Sequence, residues 1–364
     1  MQLYKKFSNL SDVRGIIQLS NSDILISSKN KIKIFSSKTF QNLYSFAEFN
    51  SIHVSINDVH EIQGSNKNEI ILSINTLNYK FRIILLKVVN SKSNQKYSRE
   101  LLYNDIEQLR NFITVYNASV DTFLNNLIIS LSSSIFYFKM ISESGKYNLI
   151  KEKEYVSKDS CIFKAMKYLN HKGNDYIITI ENKIDPPNKG FNLRIYYYEN
   201  FELITQINNL NLSTQYAPSI SFMTLFDLDK PFLVVGDHYD KLLIVKLFDD
   251  VEIYGEICLS KSSKKFPSTN SFNFEIKTVC GLNDGTFIVG LTYILVQEKI
   301  NYLIRGKINF KNKKFQLVEI NVNAHNNKQN NFITSSSLIR GNDKSDDCFI
   351  ITGDNEGILN VWKY

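Results

Sequence analysis

Alanine is almost missing from this chain: there are five in 364 residues, against 25 Phe and 20 Tyr. Alanine is the best helix former, while Ile, Phe and Tyr fit strands. The shortage therefore argues against a helical bundle or a doubly wound α/β fold. Abundant Ile, Asn, Ser and Lys also match the bias of AT-rich genomes, which adds to the same skew. Only one Trp is present. The four cysteines, Cys161, Cys258, Cys280 and Cys348, are far apart and form no CxxC or metal-like pair. They read as reduced core thiols of an intracellular protein. No run of 18 apolar residues occurs, so no membrane-spanning helix is expected. The start, Met1 to Phe7, lacks the apolar run of a signal peptide. The expected location is the cytoplasm, with the nucleus as an alternative. At 43% hydrophobic and 22% charged, the chain can bury a sizeable core, and its net charge of +7 is modest for its length.

What is abundant is a repeated strand pattern. Short apolar runs start at Ile24, Ile70, Leu127, Tyr176, Phe232, Phe287 and Phe349, spaced 46 to 62 residues apart. Each is followed by a polar turn and an alternating segment, such as Lys31 to Phe35, Leu193 to Tyr197, Leu243 to Leu247 or Ile358 to Trp362. An alternating segment precedes each run and a more polar one follows. Alternation marks a half-buried strand, and a continuous apolar run marks a strand buried on both faces. Four strands per unit, grading from apolar to polar, describe a radial blade.

Seven such units imply an all-β, seven-bladed propeller of four-stranded antiparallel blades. Length alone suggests roughly two domains at about 150 residues each, but the repeat replaces this with one ring over 1–364. The expected blades are 13–47, 56–104, 112–156, 161–208, 219–260, 274–322 and 331–364, the last completed by 2–8. That N-terminal segment supplies the fourth strand missing from the last unit and would close the ring.

The segment Thr352 to Trp362 resembles the end of a WD40 repeat, which reads S-G-S-x-D-G-x-I-x-I-W. Thr352 falls on the family's Ser/Thr, Glu356 on its turn Asp, Gly357 on its turn Gly and Trp362 on its Trp. His325, 37 residues before Trp362, suits the family's Gly-His, with Ala324 in place of the Gly. The resemblance implies a hydrogen-bonded structural set within this blade, with Glu356 as the substituted member. In the first unit Phe35 takes the Trp place. As pattern the resemblance covers the whole chain; as motif it covers about 40 residues.

Chemistry is harder to find. No HExxH, GxSxG or GxxxxGK[ST] occurs. His53 and His60, seven apart, would point to opposite faces of a strand and share no metal. The turn Gly236-Asp237-His238-Tyr239-Asp240 reads as a polar turn between buried strands; its alternative is an acid/base or metal site in the propeller channel. Lys299, Arg305, Lys307, Lys311, Lys313 and Lys314, with Phe310 and Phe315 between them, form a candidate basic patch for a phosphate backbone or phosphoinositide; otherwise they are protective lysines on an outer hairpin. Leu303 to Gly306 and Leu338 to Gly341 each carry one arginine where phosphoinositide-binding propellers carry two.

Candidate partner-binding residues lie in the loops: Asp185, Pro186, Pro187, Tyr216, Lys261, Lys264, Lys265, Phe266, His238 and Tyr239. Loops on a rigid scaffold are where binding usually sits. No catalytic residue, metal or cofactor is implied. The expected function is a non-catalytic interaction scaffold or adaptor subunit of an intracellular complex. Its alternatives are a nucleic-acid- or lipid-binding propeller and, third, a hydrolase.

Overall fold

A computed structural model gives the backbone of 28 strands and most of their connections. Outside the described residues lie 48–53, 62–68, 77–80, 92–95, 105–117, 184–189, 213–217, 225–230, 268–272, 326–330, 341–347 and scattered loop positions. Over 54–125 only Val59 and Glu61 have described side chains.

The strands join in antiparallel groups of four. The first group is β2 (Val13–Gln18), β3 (Ile24–Ser28), β4 (Lys31–Phe35) and β5 (Asn42–Ala47). Next come β6 (Val54–Glu61), β7 (Glu69–Thr76), β8 (Phe81–Ser91) and β9 (Lys96–Asn104). The third is β10 (Ala118–Phe123), β11 (Asn126–Leu131), β12 (Ser134–Glu143) and β13 (Lys146–Val156). The fourth is β14 (Cys161–His171), β15 (Asn174–Lys183), β16 (Phe191–Tyr197) and β17 (Leu203–Leu210). The fifth is β18 (Ser219–Thr224), β19 (Pro231–Gly236), β20 (Lys241–Lys246) and β21 (Glu252–Cys258). The sixth is β22 (Phe274–Gly281), β23 (Thr286–Ile294), β24 (Lys299–Asn309) and β25 (Lys314–Val322). The last combines β26 (Ile333–Arg340), β27 (Cys348–Asp354) and β28 (Leu359–Lys363) with β1 (Gln2–Phe7), which pairs along β28.

Against the expected seven-bladed ring, the backbone ladders give seven four-stranded antiparallel groups. Side-chain packing is described for six blades, whereas β6–β9 is given by its backbone ladder and by Val59 and Glu61 alone.

Burial follows the radial grading. β3, β19 and almost all of β23 are buried, while β17 and β21 are mostly exposed or half-buried. Apolar residues of neighbouring blades interdigitate. Ile178, Ile180 and Leu193 pack with Leu233, Val235 and Leu243. Phe232 and Ile244 pack with Ile276, Phe287 and Tyr302. Val13 and Ile24 pack with Ile351 and Val361. Burying one such side chain stabilises by about 1.5–3 kcal/mol, so these inter-blade layers hold the ring.

Close approach explains two glycines. A Cβ on Gly353 would sit 2.4 Å from Val13 Cγ1 in the neighbouring blade. Gly357 has φ +81°, which favours glycine, and an added Cβ would lie 2.0 Å from the Leu10 carbonyl oxygen. The Leu10 N–H donates to the Gly357 carbonyl at 3.3 Å, stitching the segment after β1 to the last blade.

Candidate functional site

Each innermost strand runs antiparallel to its second strand. Its start therefore shares one end of the ring with the turn between second and third strands, and with the segment arriving from the previous blade. This is the loop-bearing end. The candidate loops belong to it, and so does the segment carrying His325.

There the last blade holds a buried polar set. His325 Nδ1 lies 2.9 Å from Asp354 Oδ2, and His325 Nε2 lies 2.9 Å from Thr352 Oγ1. The Trp362 indole N–H donates to Thr352 Oγ1 at 2.8 Å. One proton arrangement satisfies every member. The indole donates to the hydroxyl, the hydroxyl donates to Nε2, and Nδ1–H donates to the carboxylate. Asp354 Oδ1 accepts the backbone N–H of Glu356 at 3.0 Å and Ile358 at 2.7 Å, while Oδ2 also accepts Asn331 Nδ2 at 3.0 Å. Burial alone would raise the Asp354 carboxyl, but the His325 hydrogen bond and the other donors outweigh it and hold the carboxyl below its usual range.

The sequence comparison placed Glu356 in this set. The carboxylate comes instead from Asp354, two residues earlier, because that residue ends the strand and folds over the turn to cap its N–H groups. Glu356 contributes its backbone N–H from an exposed turn position.

A second set went unnoticed in the sequence. In β15 and β16, Thr179, Glu181 and Tyr196 occupy the ladder positions that Thr352, Asp354 and Trp362 hold in β27 and β28. The buried Glu181 carboxylate accepts the Thr179 hydroxyl at 2.6 Å, the Tyr196 hydroxyl at 2.9 Å and Arg194 Nη1 at 3.0 Å. Arg194 Nε donates to Gln206 Oε1 at 3.1 Å. The readable signal is Thr-x-Glu on the second strand facing Arg-x-Tyr on the third. Phe35, opposite Ile24, holds the Trp362 position in the first blade.

The acid/base alternative finds its carboxylates already engaged. Asp237 Oδ1 accepts the N–H of Tyr239 at 2.8 Å and Lys241 at 3.1 Å, the same turn cap as Asp354. Burial pushes the Asp237 carboxyl up despite those donors. Asp240 accepts both the backbone N–H and the hydroxyl of Ser260. His238 lies outside the described residues. Among the described residues no group of three or more His, Cys, Asp and Glu could hold a metal.

The candidate basic residues do not converge. Lys299 opens β24 at the loop-bearing end, and Lys307 is near its far end. Eight residues of strand separate them, about 26 Å at roughly 3.3 Å per residue. Arg305 is half-buried opposite Glu319. Lys313, at the far turn, pairs with Glu252 at 3.0 Å and lies 4.8 Å over the Tyr254 ring. Lys311 and the Lys314 side chain are outside the described residues.

Of the loop candidates, Asp185, Pro186, Pro187 and Tyr216 also fall outside the description. Tyr239 is half-buried, and its carbonyl accepts the Ile276 N–H at 2.8 Å. Lys261, Lys264 and Lys265 are exposed. Phe266 differs from expectation. It is buried, with its ring 6.1 Å from Phe274 and 5.1 Å from Tyr302, because a large apolar side chain gains more from the inter-blade core than from water.

Five of the seven innermost strands share one more feature. Their ladders slip by one residue between Val13 and Gly15, Ile56 and Asp58, Phe163 and Ala165, Ile276 and Thr278, and Ile333 and Ser335. The extra residues are Arg14, Asn57, Lys164, Lys277 and Thr334, all near the loop-bearing end. Such bulges re-aim side chains and recur beside functional sites.

No protein-family model matches the chain, and no curated protein matches it by sequence. Its architecture is nonetheless that of WD40-repeat proteins. The RRP9 WD40 repeats superpose with a TM-score of 0.62 at 11% identity, covering 98% of this chain and 96% of that one. A chain of the mitotic checkpoint complex gives 0.62 at 8% identity, covering 100% and 94%. Chaetomium thermophilum Sqt1, solved bound to the N-terminus of ribosomal protein L10, gives 0.57 at 10% identity, covering 100% of both chains.

Proposed function

We propose that this WD40-like propeller is a non-catalytic interaction scaffold, an adaptor subunit that docks protein partners through the loop-bearing end of its ring. The carrying observation is the state of its polar groups. The carboxylates best placed for chemistry there, Asp354, Asp237, Asp240 and Glu181, are buried and occupied by hydrogen bonds that brace turns and strands. What this end offers outward is backbone bulges and exposed loop side chains, which suit recognition and not bond-breaking. Sqt1 and the mitotic checkpoint chain, similar in fold, were solved in complexes, which agrees with this reading. No helix is long and apolar enough to cross a membrane; the proposed location is the cytoplasm or nucleus. A binder of nucleic acid or lipid through 299–314 is disfavoured, because Lys299 and Lys307 sit at opposite ends of a strand.

Affinity purification of the full chain from native extract tests the scaffold reading. The expected result is one reproducible set of companions at near-stoichiometric yield. A chain recovered alone would overturn it.

A further inference from the structure

Lys164 is the extra residue of the bulge in β14, on the inner wall of the ring. It is half-buried, and among the described residues no carboxylate pairs with it. Two other bulge residues are also cations, and each has a local acid. Arg14 meets Asp12 at 2.5 Å, and Lys277 pairs with Glu275. Lys164 alone is desolvated without compensation, and burial holds its ammonium below its usual range. A charge in that state gains more from an incoming carboxylate than a fully hydrated one does.

At the rim of the same end stand three more cations. Lys261, Lys264 and Lys265 are exposed in the connection from β21 to β22, and no carboxylate among the described residues pairs with them. The described part of that connection, residues 259–267, is built into the core. Leu259 and Phe266 are buried in the inter-blade core, Ser260 is held by Asp240, and the Ser262 N–H donates to the Leu259 carbonyl at 3.0 Å. Anchors on both sides of the lysines reduce the ordering cost of binding. Much of the negative charge at this end, on Asp237, Asp240, Glu181 and Asp354, is internal; Glu356 is exposed.

We propose that this mouth docks an acidic, extended segment of a protein partner, with Lys164 on the inner wall and Lys264 and Lys265 on the rim as its carboxylate contacts. The proposal rests on the scaffold reading above and names the partner's chemistry. A peptide fits better than a nucleic acid. Single-strand binding needs exposed aromatic platforms for base stacking. Here Phe266 is buried, and the exposed aromatics among the described residues, Tyr4 and Tyr197, lie on the outermost strand β1 and at the far end of β16.

The test is fluorescence anisotropy of the full chain with a labelled oligoglutamate peptide at low ionic strength, where charge pairing is least screened. Oligouridylate is the comparison probe. Wild type is expected to bind oligoglutamate more tightly than oligouridylate. The triple variant Lys164→Glu, Lys264→Glu, Lys265→Glu should weaken binding by about tenfold or more, since each surface pair contributes up to about 1 kcal/mol. The double variant Lys264→Glu, Lys265→Glu changes only exposed residues, so it separates lost binding from lost folding and should weaken binding severalfold. Lys172→Glu, an exposed change at the opposite end, should leave binding intact. No oligoglutamate binding, tighter oligouridylate binding, or equal loss in Lys172→Glu would overturn the proposal. Companions that co-purify from extract without any oligoglutamate binding would overturn the acidic assignment alone. Absence of companions from the wild-type chain would overturn the scaffold reading and this docking with it.

Discussion

Replacing Asp354 with alanine lowers the folding stability by about 3–5 kcal/mol, because several buried donors lose one shared charged acceptor and each bond to a charged group contributes about 1.5–3 kcal/mol. The carboxylate serves four donors: His325 Nδ1, Asn331 Nδ2 and the N–H groups of Glu356 and Ile358. Alanine strips an acceptor from all of them, in a blade that also carries the ring closure through β1. Urea denaturation should show a lower midpoint at an unchanged slope. Asp354→Asn keeps an oxygen for the turn but loses the charge, so it should cost less, about 1–2 kcal/mol. The two variants also differ from wild type in acid. The folded pKa of Asp354 lies below its unfolded value. Its stabilisation is therefore complete above the ordinary carboxylate range, about pH 4, and fades as pH falls through the lower folded value. Wild type should lose this contribution below that range, while Asp354→Asn lacks that part of the acid limb.

Replacing Glu181 with alanine should be comparably costly, about 3–5 kcal/mol. Arg194 is only 8% exposed and would keep its charge in the core without a carboxylate. The Thr179 and Tyr196 hydroxyls would lose the same acceptor. Burial first, and then the Glu181 charge, hold the Tyr196 hydroxyl far above its usual pKa, so it remains a donor throughout the working range. Removing both charges should be milder than removing one. The pair Glu181→Ala with Arg194→Met is expected to recover part of the loss, because no buried charge is left unpaired. Thermal unfolding of the single and double variants measures the recovery; equal loss in both would contradict the account.

Much of the fold was legible because strand burial leaves a simple mark. The apolar runs at Ile24, Leu127, Tyr176, Phe232, Phe287 and Phe349 became the second strands, and Gln2–Phe7 pairs with the last one. The role of Phe35 was legible too, since its position follows from alternation. Besides the Glu181 set, three features were not. Asp354 replaced Glu356 because a carboxylate at the end of a strand can cap the turn that follows, and an alignment of motif letters does not weigh this. Phe266 stands among lysines and serines, so its local context reads as a surface loop; only the packing of Phe274 and Tyr302 from elsewhere in the chain gives it a pocket. The bulge that isolates Lys164 depends on ladder register, and no run of residue types specifies register at single-residue accuracy.

The most direct test of the scaffold account is the native size of the protein. Size-exclusion chromatography of fresh extract, followed by immunodetection, should place it well above its 42.2 kDa chain mass. The Lys164→Glu, Lys264→Glu, Lys265→Glu variant should move toward that mass while remaining folded. A wild-type protein that already elutes at its chain mass in extract would contradict the account.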